Sequence, residues 1–252
     1  MMRGQALRYA GWQIWDRTGP RLLASWLIIG FVCLPLHLAF VPRSASATAY
    51  AKAGSAPVEG TLLPARSRQI AFAGLACAFA LNGFIVSVLT VHLINVLQRQ
   101  GLTLETAVWI GSFFGPMQVA GRILEFSVGR RFASRTIGML ALSLLVVAIF
   151  VLLALDGQVA VALVFAVLFG FSNGVVTIVR GTVPAELFGR MGYGRILGNL
   201  AAPALVARAI APLAFAPLAL PQTAPFVWLL ALLAMAMLSV VSFAVAVSMR
   251  KR

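Results

Sequence analysis

Four polar side chains interrupt long apolar stretches of this sequence, and their chemistry is that of hydrogen bonding and anion binding. Asn82, Gln118 and Asn173 carry amides that both donate and accept hydrogen bonds. Arg208 carries a permanent positive charge, and no acidic residue is near it in the sequence. Polar groups in lipid normally face protein or a water-filled path. The three amides therefore either hydrogen-bond between helices or line a solute path, and the sequence leaves both interpretations open.

Arg208 also has two interpretations. A guanidinium in the middle of a membrane helix costs about 2.5–3.5 kcal/mol on insertion scales unless it finds water or a partner. It could anchor an anion or carboxylate inside a cavity. It could instead be structural, paired with the backbone carbonyls that Pro203 and Pro212 free in its helix. We favour the anchor, which predicts an anionic solute.

Seven apolar runs must position these residues. A helix needs about 20 apolar residues to cross roughly 30 Å of hydrocarbon, and these runs are too long and too uniformly apolar for barrel strands. The chain is 61% hydrophobic and 10% charged, so it lacks the polar surface of a soluble domain. The sequence predicts an all-α, polytopic transmembrane helical bundle of about seven spans. The runs are Leu22–Val41, Ile70–Leu97, Ala107–Phe126, Thr136–Leu155, Val159–Val179, Ile196–Leu220 and Phe226–Met249.

Small and polar residues recur at helical spacing in two of these runs. Their separations of three or four residues place each set on one helical face. Such a face lets helices approach closely, or it lines a solute path, and for Gly, Ser and Thr we favour packing. The sets are Ser112, Gly115, Gln118, Arg122 and Glu125 in the third run, and Ala166, Gly170, Asn173, Thr177 and Arg180 in the fifth.

The basic residues predict the orientation of the chain. Twelve Lys and Arg residues lie in the gaps after the first, third and fifth runs and at the C-terminus, whereas the alternate gaps hold only Arg99. Cytoplasmic loops carry the excess of Lys and Arg, so these gaps and the C-terminus are predicted to be cytoplasmic. The formal charge of +14 is thereby explained without nucleic acid. The twelve are Arg43, Lys52, Arg66, Arg68, Arg130, Arg131, Arg135, Arg190, Arg195, Arg250, Lys251 and Arg252.

The N-terminal residues 1–21 fit this scheme poorly, because seven crossings place them outside although they carry four Arg residues and one Asp. With Trp12 and Trp15 they could form an amphipathic anchor in the interface, or the natural chain begins upstream. Three regions follow from the pattern. They are an interfacial segment with one transmembrane helix (1–42), a cytoplasmic linker rich in Ala, Ser, Gly and Pro (43–69), and a six-helix transmembrane bundle (70–252).

One span, a long basic linker and six further spans resemble the second half of a major facilitator superfamily transporter. The stretch Gly115–Arg122 resembles the eighth span of bacterial members. The stretch Gly121–Glu125, followed by Gly129–Arg131, is similar to the family's Gly-x-x-x-Asp loop motif. Pro184–Glu186 with Arg190 resembles its loop between the tenth and eleventh spans.

The resemblance implies a secondary transporter in the bacterial inner membrane, with a cytoplasmic C-terminus. A small solute would move by alternating access, along a path with Asn82, Gln118, Asn173 and Arg208 as candidate lining residues. The chain would then be half of the transporter, and its partners would be the lipid bilayer, an anionic small-molecule solute, and a second copy or the missing N-terminal half. The residues implied for the gating loops are Gly121, Glu125, Arg130, Glu186 and Arg190.

This sequence lacks the residues that several other classes of membrane protein require. The only histidines are His37 and His92, so no His-Glu-x-x-His motif exists, and neither metal nor cofactor is expected. The only aspartates, Asp16 and Asp156, cannot form an intramembrane pair. No phosphate-binding loop appears, and no Lys lies inside a span to bind retinal. We therefore expect no enzyme activity. The alternative to a transporter is a non-transporting membrane remnant, or a subunit that packs against another membrane chain.

Overall fold

The computed structural model describes residues 63–189, 191–216 and 225–251, together with Phe31 and Pro35. The chain divides into two compact units, Met1–Val58 and Glu59–Arg252. Phe31 and Pro35 are the only described residues of the first unit, and both are helical. The predicted N-terminal anchor, the rest of the first span and most of the predicted linker lie outside the described residues.

Every long element among the described residues is an α-helix, which confirms the prediction of an all-α bundle. Five of these helices, α1, α4, α5, α6 and α7, are long and apolar enough to cross a membrane, which indicates a multi-pass membrane protein. Short 3-10 helices follow α3 and α7. The helices are α1 (Ala65–Arg99), α2 (Leu104–Ser112), α3 (Phe114–Val128), α4 (Ser134–Leu153), α5 (Val159–Phe188), α6 (Tyr193–Phe215) and α7 (Pro225–Ser248).

Two helices extend beyond the apolar runs that predict them. Helix α1 begins at Ala65, inside the predicted linker, and has 35 residues. Helix α5 continues nine residues beyond Val179 and ends at Phe188, with Pro184 inside it. Because a helix rises about 1.5 Å per residue, both are longer than the hydrocarbon thickness of a bilayer. Arg180 consequently lies within a helix and not in a loop.

The predicted third span is not one continuous helix, because the helix is interrupted at Phe113, between α2 and α3. Pro116 has no backbone N–H to donate to the carbonyl of Ser112, four residues earlier, and its ring crowds that carbonyl. At this interruption, the Phe113 N–H donates a hydrogen bond to the carbonyl of Ile110 at 3.1 Å. The Ser112 hydroxyl donates to the carbonyl of Trp109 at 2.6 Å. These local bonds replace part of the lost helical ladder.

The helices form two groups that meet mainly where α4 packs on α7, with smaller contacts from α5 to α1 and α6. Helix α1 packs against α6 and α7, helix α5 packs against α3 and α4, and α4 meets α7. Two buried serines connect helices within these groups. Ser239 of α7 donates to the Ala78 carbonyl of α1 at 3.0 Å, and Ser172 of α5 donates to the Ala141 carbonyl of α4 at 2.7 Å. Hydrogen bonds of this kind hold helices together where lipid offers no competing partner.

The contacts place most of the described basic residues at one end of the bundle, here called the basic end. The start of α1 meets the ends of α5 and α7, since Phe72 packs on Phe188 and Gly74 on Ala246. The start of α4 joins the same end, because Gly138 contacts Phe243. At the opposite end, the N–H of Gly157 donates to the Gln100 carbonyl at 2.8 Å. The basic end carries Arg66, Arg68, Arg131, Arg135, Arg195 and Arg250.

This clustering leads to a topology prediction. Single cysteines at position 135 or 250 should be protected from a membrane-impermeant maleimide added outside intact cells. A cysteine at position 98 or 105 should react, because the excess of Lys and Arg marks the cytoplasmic side. Cys33 and Cys77 are replaced first, and labelling after permeabilisation serves as the accessibility control. Labelling of position 135 in intact cells would reverse the orientation.

Candidate functional site in the middle of the bundle

The core of the bundle has two apolar clusters stacked along the helices, with a polar layer between them. On α1, one cluster ends at Phe79 and the other begins at Ile85. On α6, the corresponding residues are Ala204 and Ala211. The polar layer lies away from both ends of the bundle. Its members are Asn82, Ser172, Asn173, Arg208 and Ser239.

Arg208 lies against α1 because Gly83 leaves room for its side chain. An added Cβ on Gly83 would be 3.1 Å from Arg208 Cγ and 3.2 Å from the Ala204 carbonyl oxygen. Pro212 cannot donate to the Arg208 carbonyl four residues earlier, and the hydroxyl of Ser87 donates to that carbonyl instead, at 2.8 Å. The proline-freed carbonyl is thus satisfied by a serine, and the guanidinium is not needed for it.

Arg180 of α5 reaches the same segment of α1. Its Nη2 donates to Asn82 Oδ1 at 3.0 Å, and its guanidinium lies 5.9 Å from the centre of the Phe79 ring. That ring position gives a cation–π contact. The stem of Arg208 lies against the next residue, Gly83. Two arginine side chains from different helices therefore converge on consecutive residues of α1.

The centre of this cluster has hydrogen-bond donors without acceptors. Asn82 is 0% exposed, and its Nδ2 has no hydrogen-bond partner in the described part of the chain. The same holds for Nε of Arg180. Among the described residues, no carboxylate or carbonyl accepts a hydrogen bond from the Arg208 guanidinium. A buried donor without an acceptor costs about 1–3 kcal/mol, so the cluster favours a ligand or water that supplies acceptors.

The described carboxylates lie elsewhere and cannot neutralise this pair of arginines. Glu105 and Asp156 are at the end of the bundle opposite the basic end. At the basic end, Glu186 forms an ion pair with Arg250. The side chain of Glu125 lies against Gly129: a Cβ added to Gly129 would be 3.1 Å from Glu125 Cγ. The cluster formed by Asn82, Arg180 and Arg208, here called the arginine site, therefore has positive charge with no counter-ion among the described side chains.

The other two amides predicted for the solute path lie at the contact between α3 and α5. The backbone of Gln118 packs against Gly174, the neighbour of Asn173. Both amide side chains are partly exposed, and in the described structure no hydrogen bond connects either of them to the arginine site. Asn173, Thr177 and Arg180 share one face of α5, so Asn173 lies two turns from the arginine along the same helix.

The residues predicted for gating loops lie mainly in helices. Gly121 packs against α5, and an added Cβ would be 2.6 Å from the Phe171 carbonyl oxygen. Glu125 is also in α3, and Glu186 is in the last turn of α5, where it pairs with Arg250. Arg130 lies in the 3-10 helix Gly129–Arg131. Arg190 lies outside the described residues.

Arg180 of the arginine site, and Ser87, which bonds to the backbone of Arg208, were not predicted as site residues. Arg180 belongs to the polar stripe of the fifth run, but it follows the last apolar residue of that run and so resembles a charge at a membrane boundary. The length of α5 and its contact with Asn82, 98 positions away, reveal its role. Ser87 shares a helical spacing with Gly83 and Thr90 in α1, a pattern that favours packing between helices, and the structure adds which carbonyl it serves.

The contact of Ser87 can be tested by a double-mutant cycle. Ser87→Ala should lower the free energy of unfolding by about 0.5–1.5 kcal/mol, because the Arg208 carbonyl loses its donor. In a Pro212→Ala background the loss should be close to zero, since the new N–H at position 212 restores the helical bond. Unfolding of the four variants in mixed micelles measures both costs. Equal costs in the two backgrounds would show that Ser87 does not serve this carbonyl.

Comparison with known proteins found no match: no family model, no curated protein and no solved structure matches the chain. Within the described residues, no group of three or more His, Cys, Asp or Glu side chains is placed to hold a metal ion. The arginine site itself offers hydrogen-bond donors and positive charge.

Proposed function

We propose that this chain is half of a membrane secondary transporter of the major facilitator type, which moves a small solute by alternating access. The observation that carries the proposal is the convergence of Asn82 and Arg208 of the polar layer with Arg180, whose side chain reaches Asn82 from a third helix. Secondary transporters bind their solutes near the bilayer midplane, between two helical repeats that rock against each other. Polar groups collected at that depth are the feature that such a site requires.

The organisation of the helices supports the same proposal. Five spanning helices and the broken pair α2–α3 supply the six passes of one transporter half. Discontinuous helices are themselves a common component of transporter folds. The arginine site lies where α1, α5 and α6 meet, so a second half would provide the opposite wall of the cavity. The solute and its direction of movement are left open by this proposal.

Reconstitution of both halves tests the proposal. The DNA upstream of the codon for Met1, and the adjacent genes, should encode five further apolar spans. Co-expression of that segment with this chain should give vesicles that accumulate a labelled solute, whereas vesicles with either part alone should not. The absence of such spans, together with no uptake of any solute in a panel of anions, sugars and amines, would overturn the transporter assignment.

A second candidate function is favoured by the surface of α6. Leu205, Val206, Ile210 and Leu213 are 62%, 57%, 53% and 78% exposed, so one side of this helix has no protein cover in the described structure. Lipid can cover such a face, but so can another membrane protein. A chain that acts as a subunit, packing against another membrane chain without transporting a solute, would use this face as its interface.

Both functions lead to a prediction about assembly. Asn95 is an exposed polar residue of α1, a helix long and apolar enough to span a membrane, and lipid solvates an amide poorly. We therefore expect the purified chain to form a homodimer or to retain a second membrane chain. Light scattering in detergent and energy transfer between labelled chains in vesicles measure this. A monodisperse monomer in both media, with no partner recovered, would contradict the prediction.

A further inference from the structure

We infer that Arg180 and Arg208 together bind one small dianion at the arginine site, with Asn82 as a third donor. The dianion is an oxoanion or a dicarboxylate. This inference deepens the proposed function by naming its substrate class, and it depends on that function only for the role of the anion as the transported solute. The inference assigns an anion-binding role to Arg180. The position of Arg180 in the sequence, just after an apolar run, does not indicate such a role.

The first support is the mismatch between donors and acceptors. Asn82 Nδ2 and Arg180 Nε are buried donors without partners, and the Arg208 guanidinium adds donors that no described acceptor uses. The one acceptor in the cluster, Asn82 Oδ1, already receives Arg180 Nη2 at 3.0 Å. Carboxylates and oxoanions are acceptors only, and they fit guanidinium donors through paired hydrogen bonds. A neutral polar solute would bring its own donors into a site whose one side-chain acceptor, Asn82 Oδ1, already receives Arg180 Nη2.

The second support is the charge. Arg180 and Arg208 lie against consecutive residues of α1, where like charges repel each other, and the described carboxylates are at the two ends of the bundle. An anion between the two guanidinium groups is attracted by both, and it also relieves their repulsion. One negative charge would leave the site with a net positive charge in an apolar surrounding, whereas two would neutralise it. The site should therefore prefer a dianion to a monoanion of similar size.

The third support is the construction of the site. Gly83 leaves room for the aliphatic stem of Arg208, and the Phe79 ring centre lies 5.9 Å from the guanidinium of Arg180. The hydroxyl of Ser87 donates to the backbone carbonyl of Arg208, so the guanidinium is not needed there. The guanidinium of Arg180 and the stem of Arg208 are thus positioned before an anion arrives, which reduces the entropy lost on binding. The site also lies between two apolar clusters, which would separate it from lipid head groups at the membrane surface.

The test measures binding by the purified full chain in a non-ionic detergent, where no lipid phosphate is present. Sulfate and succinate are titrated at constant ionic strength against chloride and acetate, with thermal unfolding as the readout. We expect the two dianions to raise the unfolding temperature saturably, and the monoanions to do so at least tenfold more weakly. Equal responses to all four salts would overturn the inference.

Variants assign the response to this site. Arg180→Gln and Arg208→Gln should each weaken sulfate binding at least tenfold. The matched control is Arg68→Gln with Arg195→Gln, two arginines that line a separate cavity of about 610 Å³ at the basic end. This control should bind sulfate as the wild type does. If it loses the response instead, the anion binds at the basic end and the inference fails.

Asn82→Asp provides a test that does not depend on losing stability. The aspartate carboxylate is nearly isosteric with the amide and would act as an internal anion between the arginines. The variant should unfold at a higher temperature than the wild type in the absence of dianions, and it should no longer respond to sulfate. A lower unfolding temperature would show that the arginines are already compensated.

The outcomes also separate this inference from the transporter proposal. Sulfate binding that follows these variants, without uptake of any solute by the reconstituted halves, would support the anion site and reject transport. Uptake of a neutral or cationic solute, in the absence of any dianion response, would support transport and reject the anion site.

Discussion

Replacing Arg208 by alanine should abolish transport of an anionic solute when the missing half is supplied. Arg208 lies in the polar layer, with its side chain against Gly83 and its guanidinium without an acceptor among the described residues. Removing it deletes the charge and the paired donors that would hold the solute. We expect uptake to fall to the level of empty vesicles, measured as the initial rate at equal amounts of inserted protein.

Arg208→Lys separates the charge from the hydrogen-bonding geometry. Lysine keeps the positive charge but loses the planar fork that binds two oxygens at once, so transport should be impaired while insertion is preserved. Arg195→Ala is the control, because that arginine is also on α6 but lies at the basic end. If Arg208→Ala transports normally and only expresses less, the residue is structural and the anchor interpretation fails.

Gly174→Ala should be among the most destabilising single substitutions in the bundle. An added Cβ at Gly174 overlaps the Gln118 carbonyl oxygen, and that oxygen belongs to the backbone of α3, which cannot rotate away as a side chain can. The helices α3 and α5 would have to separate along a contact that also includes Gly170 and Gly121. Overpacking of this kind costs about 1–3 kcal/mol, and we expect a value near the upper limit because backbone must move.

Gly181→Ala on the same helix is the matched control. The nearest atom to an added Cβ there is the Tyr193 hydroxyl oxygen at 3.6 Å, an ordinary contact. The substitution should raise the free energy of unfolding by up to about 1 kcal/mol, because Ala is the better helix former. Denaturation in mixed micelles compares the two variants with the wild type. Equal stability of Gly174→Ala and Gly181→Ala would mean that α3 and α5 are not in this close contact.

The helical architecture follows largely from the sequence. Uniform apolar runs of about 20 residues allow only helices in a bilayer, and the run Thr136–Leu155 matches α4 (Ser134–Leu153) within two residues at each end. The break at Phe113 is also local in origin, since Pro116 removes a specific hydrogen bond, but an apolar run does not show whether neighbours will tolerate the gap. The helical continuation of α5 through Pro184 was not predictable, because apolarity ends before the helix does.

The arginine site was only partly predictable. The sequence identified Asn82 and Arg208 as polar residues inside apolar helices, and the cost of burying them was sufficient reason to suspect a role. It did not indicate that Arg180 joins them, because Arg180 and Asn82 are 98 positions apart and their contact depends on how α5 crosses α1. Nor did it show that Ser87 satisfies the Arg208 carbonyl, which depends on the register of α6 along α1.

The sequence by itself determined which segments are apolar enough to enter a membrane and predicted the side of each connection, since transfer of apolar residues and the placement of Lys and Arg are local free energies. Only the tertiary structure decided which polar side chains meet. Helix packing sets the crossing and register of each pair through small residues such as Gly83, Gly121 and Gly174. These long-range contacts bring two arginines onto one segment of α1 and leave them without a described carboxylate, which is the physical basis for expecting an anion there.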